Sequence, residues 1–263
     1  MIFQLKRISV TLLALIFSGS ALAQSDVTPI FKVTDDWRFS VTPYVWVPGL
    51  MATLSNNNGP VTTVDFSMNQ IVSNLKSGVM GATEIRKGKW GLSGDFFNAT
   101  LQNQGAFNAT DSTGTARIAD LVTLKATMFT GSVLYTVINT KDLNMDALVG
   151  ARAVFATASV NLNDRVDSLS AATTFNTITP IAGFKGRYRI ADSSWYVPYY
   201  ADAGSGGGTT TLTWQAILGV GKALNNWIDV SLTYRALEAD LHGNSSVMKA
   251  NLKGPQLAMT FNF

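Results

Sequence analysis

The sequence predicts an all-β chain that closes into a single antiparallel transmembrane β-barrel of about ten strands, with eight or twelve also compatible. Three observations support this fold class. Long stretches alternate apolar and polar residues, the connections between them alternate between short and long, and the chain ends in an apolar strand. Alternation with a period of two places one face of each strand against lipid and the other face inside the barrel.

The last strand shows the alternation most clearly, at residues 256–263. An apolar strand that ends the chain is unusual for a soluble protein, because termini are commonly frayed and solvated. The pattern resembles the last strand of bacterial outer-membrane barrels, whose terminal aromatic residue is an assembly signal. This resemblance implies that Phe263 is such a signal and that the barrel-assembly machinery is a partner of the strand.

Ten stretches have the length and alternation of a membrane-spanning strand. They are residues 37–50, 77–86, 90–102, 120–137, 145–160, 174–190, 195–203, 210–223, 227–238 and 252–263. A tilted transmembrane strand needs ~9–11 residues, whereas globular strands typically have ~5–6. The fourth stretch alternates least cleanly, which leaves the count of eight or twelve open. An even count places both termini in the periplasm.

The connections predict the orientation of the barrel. Short polar turns are expected at 87–89, 140–142, 191–194 and 225–226, longer connections at about 55–76, 103–116, 163–173 and 240–249, and a glycine-rich tip at 204–208. Barrels of the outer membrane keep their short turns in the periplasm and their long loops outside. We therefore expect the four longer connections to be extracellular.

The first long connection contains a helical pattern. Met68, Ile71, Val72 and Leu75 recur at helical spacing, and the preceding Ser67 forms a capping box with Gln70. We expect a short helix in the first extracellular loop. Packing on the barrel rim is favoured over insertion into the pore, because so short a helix buries little surface.

Tryptophan opens four of the predicted strands, at Trp37, Trp90, Trp195 and Trp227. Trp prefers the membrane interface, where its ring is half in lipid and its N–H stays hydrated. These residues predict a periplasmic aromatic girdle. The alternative is the general preference of aromatic residues for strands, which does not explain why all four lie at one end.

The first residues have the three parts of a secretory signal. Lys6 and Arg7 precede an apolar run at residues 8–17, and small residues end at Ala23. The run is shorter than the ~20 residues of a transmembrane helix. We expect cleavage near Ala23, so that residues 1–23 are a signal peptide, 24–36 a periplasmic N-terminal linker and 37–263 a barrel in the outer membrane of a Gram-negative bacterium.

Composition limits the partners. The chain is 46% hydrophobic and 14% charged, and it has no cysteine, which excludes a lipoprotein anchor and disulfides. Its net charge falls from +3 to +1 when Lys6 and Arg7 leave with the signal peptide. Nucleic-acid binding therefore has no electrostatic support. Outer-membrane lipid is the expected surrounding, and no cofactor is expected.

One histidine is available for catalysis. His242 follows Asp240 by two residues, a pattern that resembles half of an omptin protease site, and Ser245 and Ser246 lie nearby as in the outer-membrane phospholipase. The paired Asp-x-Asp of the first and the His-x-Ser of the second are missing, so a solvated loop histidine is favoured. We predict no enzyme activity, no catalytic residues and no metal site.

The remaining candidate site is the barrel interior, where alternation places charges of both signs. The candidates are Arg38, Glu84, Arg86, Asp95, Lys125, Arg152, Lys185, Arg187, Asp229 and Arg235. A charged Arg or Lys on the lipid face costs ~2–4 kcal/mol at mid-membrane, which favours the inward position. Lys185, Arg187 and Arg189 form a row of cations, for which Glu84, Asp95 and Asp229 are the candidate partners.

Two functions fit such an interior. The first is a narrow porin-like channel for passive diffusion of small polar solutes. The alternative is a closed structural or adhesive barrel that acts through its extracellular loops. A barrel of ten strands is close to the size at which side chains fill the interior. This slightly favours an interior that is closed by ion pairs. The solute, the oligomeric state and the exact strand count are not determined by the sequence.

Three motifs carry a family resemblance: TPYVWVPG at 42–49, GFKGRYR at 183–189 and TWQA at 213–216, with Tyr234-Arg235 and Gly254-Pro255 in addition. They resemble a widespread, largely uncharacterised family of porin-like outer-membrane proteins of proteobacteria. Residues 202–206 are a looser version of an aspartate-glycine run in that family. The resemblance implies a single outer-membrane barrel and carries over no enzymatic activity.

Overall fold

The computed structural model describes residues 27–56, 62–111, 114–163, 168–206, 210–242 and 246–263. The predicted signal peptide and its cleavage site lie outside these ranges. The strands are β1 Arg38–Trp46, β2 Gly49–Asn56, β3 Thr62–Phe66, β4 Leu75–Lys87, β5 Trp90–Asp111, β6 Gly114–Asn139, β7 Leu143–Asn163, β8 Ser168–Arg189, β9 Trp195–Gly204, β10 Thr210–Ala223, β11 Ile228–His242 and β12 Ser246–Asn262, and the helix α1 is Met68–Asn74.

The strands close into an antiparallel barrel of ten. Each strand from β4 to β12 pairs with the next, and β1 pairs with both β4 and β12. The strands β1 and β2 lie one after the other along β12 and act as one barrel strand, which is interrupted at Val47 and Pro48. A proline lacks the N–H that a ladder needs, which accounts for the break. The prediction of a ten-stranded all-β barrel is confirmed.

The two ends of the barrel differ. At one end, called the short-turn end, brief turns join β4 to β5, β6 to β7, β8 to β9 and β10 to β11, and β1 begins beside the last residue of β12. Gly88, in the first of these turns, has φ +57°, a conformation that glycine adopts without strain. The opposite end, called the tall end, carries the hairpins.

The hairpins at the tall end are longer than predicted. The strands β5 to β8 have 21–26 residues each, about twice the ~9–11 that cross a membrane. The predicted irregular loops at 103–116, 163–173 and 240–249 are therefore mostly strand. Their Asn, Ser, Thr and Gly residues hide the strand from pattern analysis, because backbone pairing within each hairpin does not require an apolar face.

The helix α1 lies between β3 and β4, as expected. The Ser67 side chain caps the backbone N–H of Gln70, and the Gln70 side chain accepts from the Ser67 N–H at 2.8 Å. Ile71 is buried in a cluster with Leu50 and Ala52 of β2, which holds the helix on the barrel rim. Within the described ranges, no helix is long and apolar enough to cross a membrane.

The outer wall is apolar. Large apolar side chains are exposed on every barrel strand, and among them are Val45, Val79, Leu92, Phe129, Val149, Ile178, Phe184, Leu218, Leu232 and Leu257. Soluble proteins rarely expose a contiguous apolar surface of this extent. An outward apolar band on a closed barrel is typical of a wall that faces lipid.

The C-terminal residue closes the seam of the barrel, which gives a test of assembly. Backbone hydrogen bonds run in both directions between Phe39 and Phe263, at 3.1 and 2.8 Å, and the Phe263 ring is exposed on the outer wall. We expect Phe263→Ser to lower the yield of folded barrel in outer-membrane fractions strongly, since the apolar terminal side chain is lost. The matched control is Asn262→Ser, which changes an interior polar residue and keeps both backbone bonds. Equal yields of the two variants would contradict a role for the terminal aromatic side chain.

Candidate functional site

The barrel interior holds most of the predicted charged residues. The inward positions are occupied by Arg38, Glu84, Arg86, Asp95, Arg152, Lys185, Arg187, Asp229 and Arg235, each either buried or lining the interior cavity. Glu84 and Arg86 pair on one strand, whereas the other pairs join strands that are not neighbours in the wall. These other pairs therefore extend through the interior.

Lys125 is the exception, and its predicted inward position is wrong. Lys125 is exposed and lies opposite Thr100 in the β5–β6 ladder. Phe96 and Phe129, which lie opposite each other four residues away on the same face, both point outward. Residues opposite each other in an antiparallel pair share one face. The weak alternation of this strand gave the sequence no means of assigning the face.

Arg235 binds four groups at the middle of the lumen. Its Nη2 donates to Asp95 Oδ1 at 2.9 Å and to Gln215 Oε1 at 2.8 Å, and its Nη1 donates to the Tyr44 hydroxyl at 2.9 Å. The guanidinium also lies 4.7 Å from the centre of the Trp46 ring. Arg235 is fully buried at 0% exposure, and β12, β1 and β4 separate its strand from that of Asp95.

Arg152 forms a second buried set at about the same depth. Its Nη2 donates to Asp202 Oδ2 at 2.5 Å and its Nη1 to Thr213 Oγ1 at 2.9 Å. The Tyr200 hydroxyl donates to the same Asp202 oxygen, also at 2.5 Å. A buried charge is stable only when it is paired and hydrogen-bonded. Asp202 Oδ2 meets both conditions, whereas Asp202 Oδ1 is buried without a hydrogen-bond partner.

Apolar side chains fill the space around these two sets. Trp46 packs edge-on against Phe97 with ring centres 5.6 Å apart, and its indole N–H donates to the Gly254 carbonyl at 3.3 Å. Met128 and Leu237 belong to the same buried cluster. We call the Arg235 set, the Arg152 set and this apolar cluster together the central layer.

A charged network lies between the central layer and the short-turn end. Glu84 pairs with Arg86 on its own strand and with Lys185 across the lumen, the latter at 2.5 Å between Oε2 and Nζ. Arg86 also pairs with the fully buried Asp146, whose Oδ1 accepts from Thr136 at 2.7 Å. We call these four charged residues the lower network.

The predicted row of cations is divided between several partners. Lys185 binds Glu84, whereas Arg187 Nη1 contacts both oxygens of Asp229, at 3.1 and 3.2 Å. Arg189 points into the β8–β9 turn, where it donates to the carbonyls of Ser193 and Asp192. Carboxylates thus neutralise the row of cations. Asp95 pairs with Arg235 and not with Lys185, Arg187 or Arg189.

Two carboxylates of the site were missed by the sequence analysis. Asp146 and Asp202 are buried and each holds an interior arginine. Alternation carries a usable signal for both. Asp146 lies an even number of residues from Arg152 on β7, and Asp202 lies an even number from the buried Tyr196 on β9, so each pair shares the interior face of its strand. Aspartate is depleted in strands, so one inside a long alternating run deserves assignment to the interior.

A cavity of about 520 Å³ lies in the half of the lumen near the short-turn end. The lower network, Tyr199, Ser231 and other polar residues line it, and the central layer lies above it. Pro29, Phe31 and Val33 line its other side, so part of the segment expected to be a periplasmic linker lies against the lumen. We call this cavity the lower chamber.

The four predicted girdle residues are all exposed at the short-turn end. Trp90 lies 4.9 Å from Tyr135 between ring centres, and the ammonium groups of Lys87 and Lys222 lie over the rings of Trp37 and Trp195. Trp227 precedes β11 and is also exposed. This arrangement is typical of an interface belt; its periplasmic orientation stays a prediction.

The short turns also hold an exposed ion pair. Lys141 Nζ lies 3.3 Å from Asp192 Oδ1 and 3.5 Å from Asp142 Oδ2. The hydrogen bond to Asp192 raises the pKa of Lys141, and the nearby charge of Asp142 acts in the same direction. Because the pair is fully exposed, it adds little to stability.

Asp240, from the predicted Asp-x-His pattern, forms an ion pair with a lysine. Its Oδ2 lies 3.5 Å from Lys249 Nζ, and the side chain of His242 is not among those the structure describes. Within the described ranges, no group of three or more His, Cys, Asp or Glu residues is placed to hold a metal.

The central layer predicts strong coupling between Arg235 and Asp95. We expect Asp95→Leu alone to lower the free energy of unfolding by about 3–5 kcal/mol, because it leaves the fully buried Arg235 without its carboxylate. Arg235→Met should cost less, because the Asp95 side chain is 25% exposed. The double variant is expected to lose much less than the sum, since no charge remains. Urea unfolding in lipid vesicles measures this, with Lys141→Met as an exposed-pair control that should change nothing measurable. Additive losses would show that the two charges do not depend on each other.

No family model matches the chain, and no curated protein matches it in sequence. Its structure is similar to that of the outer membrane protease OmpT from Escherichia coli, with a TM-score of 0.55, 10% identity, and 91% of this chain and all of that chain covered. Lower similarity is found to the translocator domain of the autotransporter NalP from Neisseria meningitidis, with a TM-score of 0.41, 10% identity, and 98% and 96% coverage. At these identities the likeness concerns the fold alone. The chain therefore has the fold of an outer-membrane β-barrel.

Proposed function

We propose that this chain is an outer-membrane barrel that is closed to ions and solutes and acts through the hairpins at its tall end. The central layer is the observation that carries this proposal. Its two arginines, Arg235 and Arg152, have 0% and 1% exposure, and each pairs with a carboxylate on a strand that is not its neighbour. A conducting pore needs a continuous aqueous path, which this layer interrupts.

The proposed location rests on the outer wall and the fold. The exposed apolar band needs lipid around it. The barrel shares its fold with an outer membrane protein. The predicted signal peptide is consistent with export across the inner membrane.

The central layer resists opening because of its charges. Moving Arg235 away from Asp95 would leave both charges unpaired in a low-dielectric interior, which costs several kcal/mol. The same holds for Arg152 and Asp202. Two such pairs at one depth, together with the Trp46 and Phe97 rings, make a stable barrier rather than a loose constriction.

The tall end supplies the surface for a structural or adhesive role. The hairpins β5–β6 and β7–β8 continue as paired strands far beyond the length that a membrane requires. A paired hairpin is stiffer than an irregular loop, because its backbone hydrogen bonds are internal. Such hairpins project a defined surface from the membrane, which favours contact with other molecules over solute passage.

A narrow porin-like channel is the second candidate, and the lower chamber favours it. The chamber has a volume of about 520 Å³, lies in the half of the lumen near the short-turn end and is lined in part by charged side chains. If the central layer rearranged, the chamber would become the vestibule of a pore for small polar solutes. Of the two functions, the closed barrel explains the buried pairs without any rearrangement.

We also propose that the chain is not an enzyme. OmpT is a protease by name, but similarity of fold at 10% identity does not carry chemistry to this chain. The sequence around its single histidine lacks the paired Asp-x-Asp of an omptin and the His-x-Ser of the phospholipase.

Conductance in a planar bilayer tests the closed state. We expect the wild-type protein to show no steady conductance, and Arg187→Ala to lower thermal stability without creating one, since Arg187 lies below the central layer and mainly neutralises Asp229. Arg187→Glu is the charge-reversed companion variant. A steady wild-type conductance whose ion selectivity follows the charge at this position would refute the closed barrel in favour of the channel.

The orientation has its own test. An epitope inserted at residues 112–113, the tip between β5 and β6, should bind antibody on intact cells, because long hairpins face outward in such barrels. The same epitope inserted after Lys141, in a short turn, should bind only after the outer membrane is permeabilised. The reverse labelling pattern would invert the proposed topology.

A further inference from the structure

Residues 27–36, called the N-terminal segment, cross the short-turn end of the barrel. Pro29, Val27 and Ile30 are buried, and Pro29, Phe31 and Val33 line the lower chamber. This burial is unexpected for a solvated linker. The segment covers the mouth of the lumen at the end opposite the hairpins.

Phe31 is the central contact of the segment. Two guanidinium groups lie over its ring, that of Arg38 at 5.1 Å and that of Arg187 at 5.3 Å from the ring centre. A cation over an aromatic face is attracted to it, more strongly where water is excluded. Arg187 also donates to the Pro29 carbonyl at 3.3 Å. The two arginines therefore hold the segment in the mouth.

The rest of the segment is attached by a few hydrogen bonds. The Asn139 side chain donates to the Phe31 carbonyl at 3.0 Å and accepts from the Val33 N–H at 3.3 Å, and the Gly88 N–H donates to the Thr34 carbonyl at 2.9 Å. None of the strand ladders of the barrel includes the segment. It precedes β1, so it can leave the mouth without breaking any strand pairing.

The charges behind the segment are unbalanced. Glu84, Asp146 and Asp229 each have a cation partner in the lower half of the lumen, and Asp95 is held by Arg235. Arg38 is different, because no carboxylate of the described ranges lies within ion-pair distance of it. Its guanidinium makes a cation–π contact with the Phe31 ring instead. An open mouth would expose this cation to the solution.

We propose that the N-terminal segment is a removable lid on the lower chamber, with Phe31 as its stopper, and that the opened chamber admits anions in preference to cations. The central layer stays closed during this opening. The lid therefore controls access to a compartment from one end and does not itself create a pore. The proposal goes beyond the closed-barrel function; its one-ended access rests on that function, whereas the lid and its anion preference do not.

Thiol labelling tests the lid, because the natural chain has no cysteine. Ser231→Cys places one thiol in the chamber wall with little change of size. The refolded variant is treated with a negatively or a positively charged methanethiosulfonate reagent, and each rate is divided by the rate of that reagent with free cysteine. Adding Phe31→Ala should raise the labelling rate about tenfold, the effect of losing two cation–π contacts.

The matched control is Lys32→Ala, which changes an exposed neighbour in the same segment and should leave the rate as in Ser231→Cys alone. Mobility on unheated gels verifies that each variant is folded. Equal rates for the Phe31→Ala and Lys32→Ala variants, whether both fast or both slow, would overturn the lid.

The charge preference is read from the same experiment. With Phe31→Ala, the negatively charged reagent should label about fivefold faster than the positively charged one after normalisation, because one unpaired cation lies at the mouth. Adding Arg38→Gln should abolish this ratio while the labelling stays fast. A ratio that is already equal with Arg38 present would refute the anion preference, and it would leave the conductance result of the closed barrel unaffected.

Discussion

The pairing of buried charges across the lumen is the constraint on which the rest of the structure depends. A ten-stranded wall encloses an interior that side chains nearly fill, so a charge inside it has little water for solvation. Each interior cation therefore needs a carboxylate from elsewhere in the wall. Arg235 with Asp95 and Arg152 with Asp202 satisfy this need. The first pair joins nearly opposite sides of the barrel, and the second joins two strands that are separated by β8.

The same constraint divides the lumen into two parts with different properties. Above, the central layer is filled by paired charges and the aromatic rings of Trp46 and Phe97. Below, the pairs Arg187–Asp229 and Lys185–Glu84 lie along the wall of an open chamber, and Arg38 has an aromatic ring in place of a carboxylate. In the proposed function the layer blocks conduction, and in the proposed lid the N-terminal segment controls access to the chamber from one end.

The sequence pattern predicts a strand and its faces correctly where one face must be apolar and the other polar, and it does not where neither face is so constrained. The alternation of β11 and β12 assigned both faces correctly, because a lipid face and an interior face impose opposite chemistry. The hairpins at the tall end are rich in Asn, Ser, Thr and Gly, so their residues carried no strand signal, and they were predicted as loops. Lys125 was misassigned for the related reason that its strand alternates weakly.

By itself, the sequence determined the fold class, the capping box of α1 and the face of most charged residues, since each follows from local spacing along the chain. The tertiary structure alone decided which charges meet. Asp95 lies 140 positions from Arg235, and nothing local distinguishes this carboxylate from Glu84 or Asp229 as a partner. The tilt and stagger of a closed barrel set the distances across its lumen, and these also brought Phe31 against Arg38 and Arg187, which no pattern in residues 24–36 predicted.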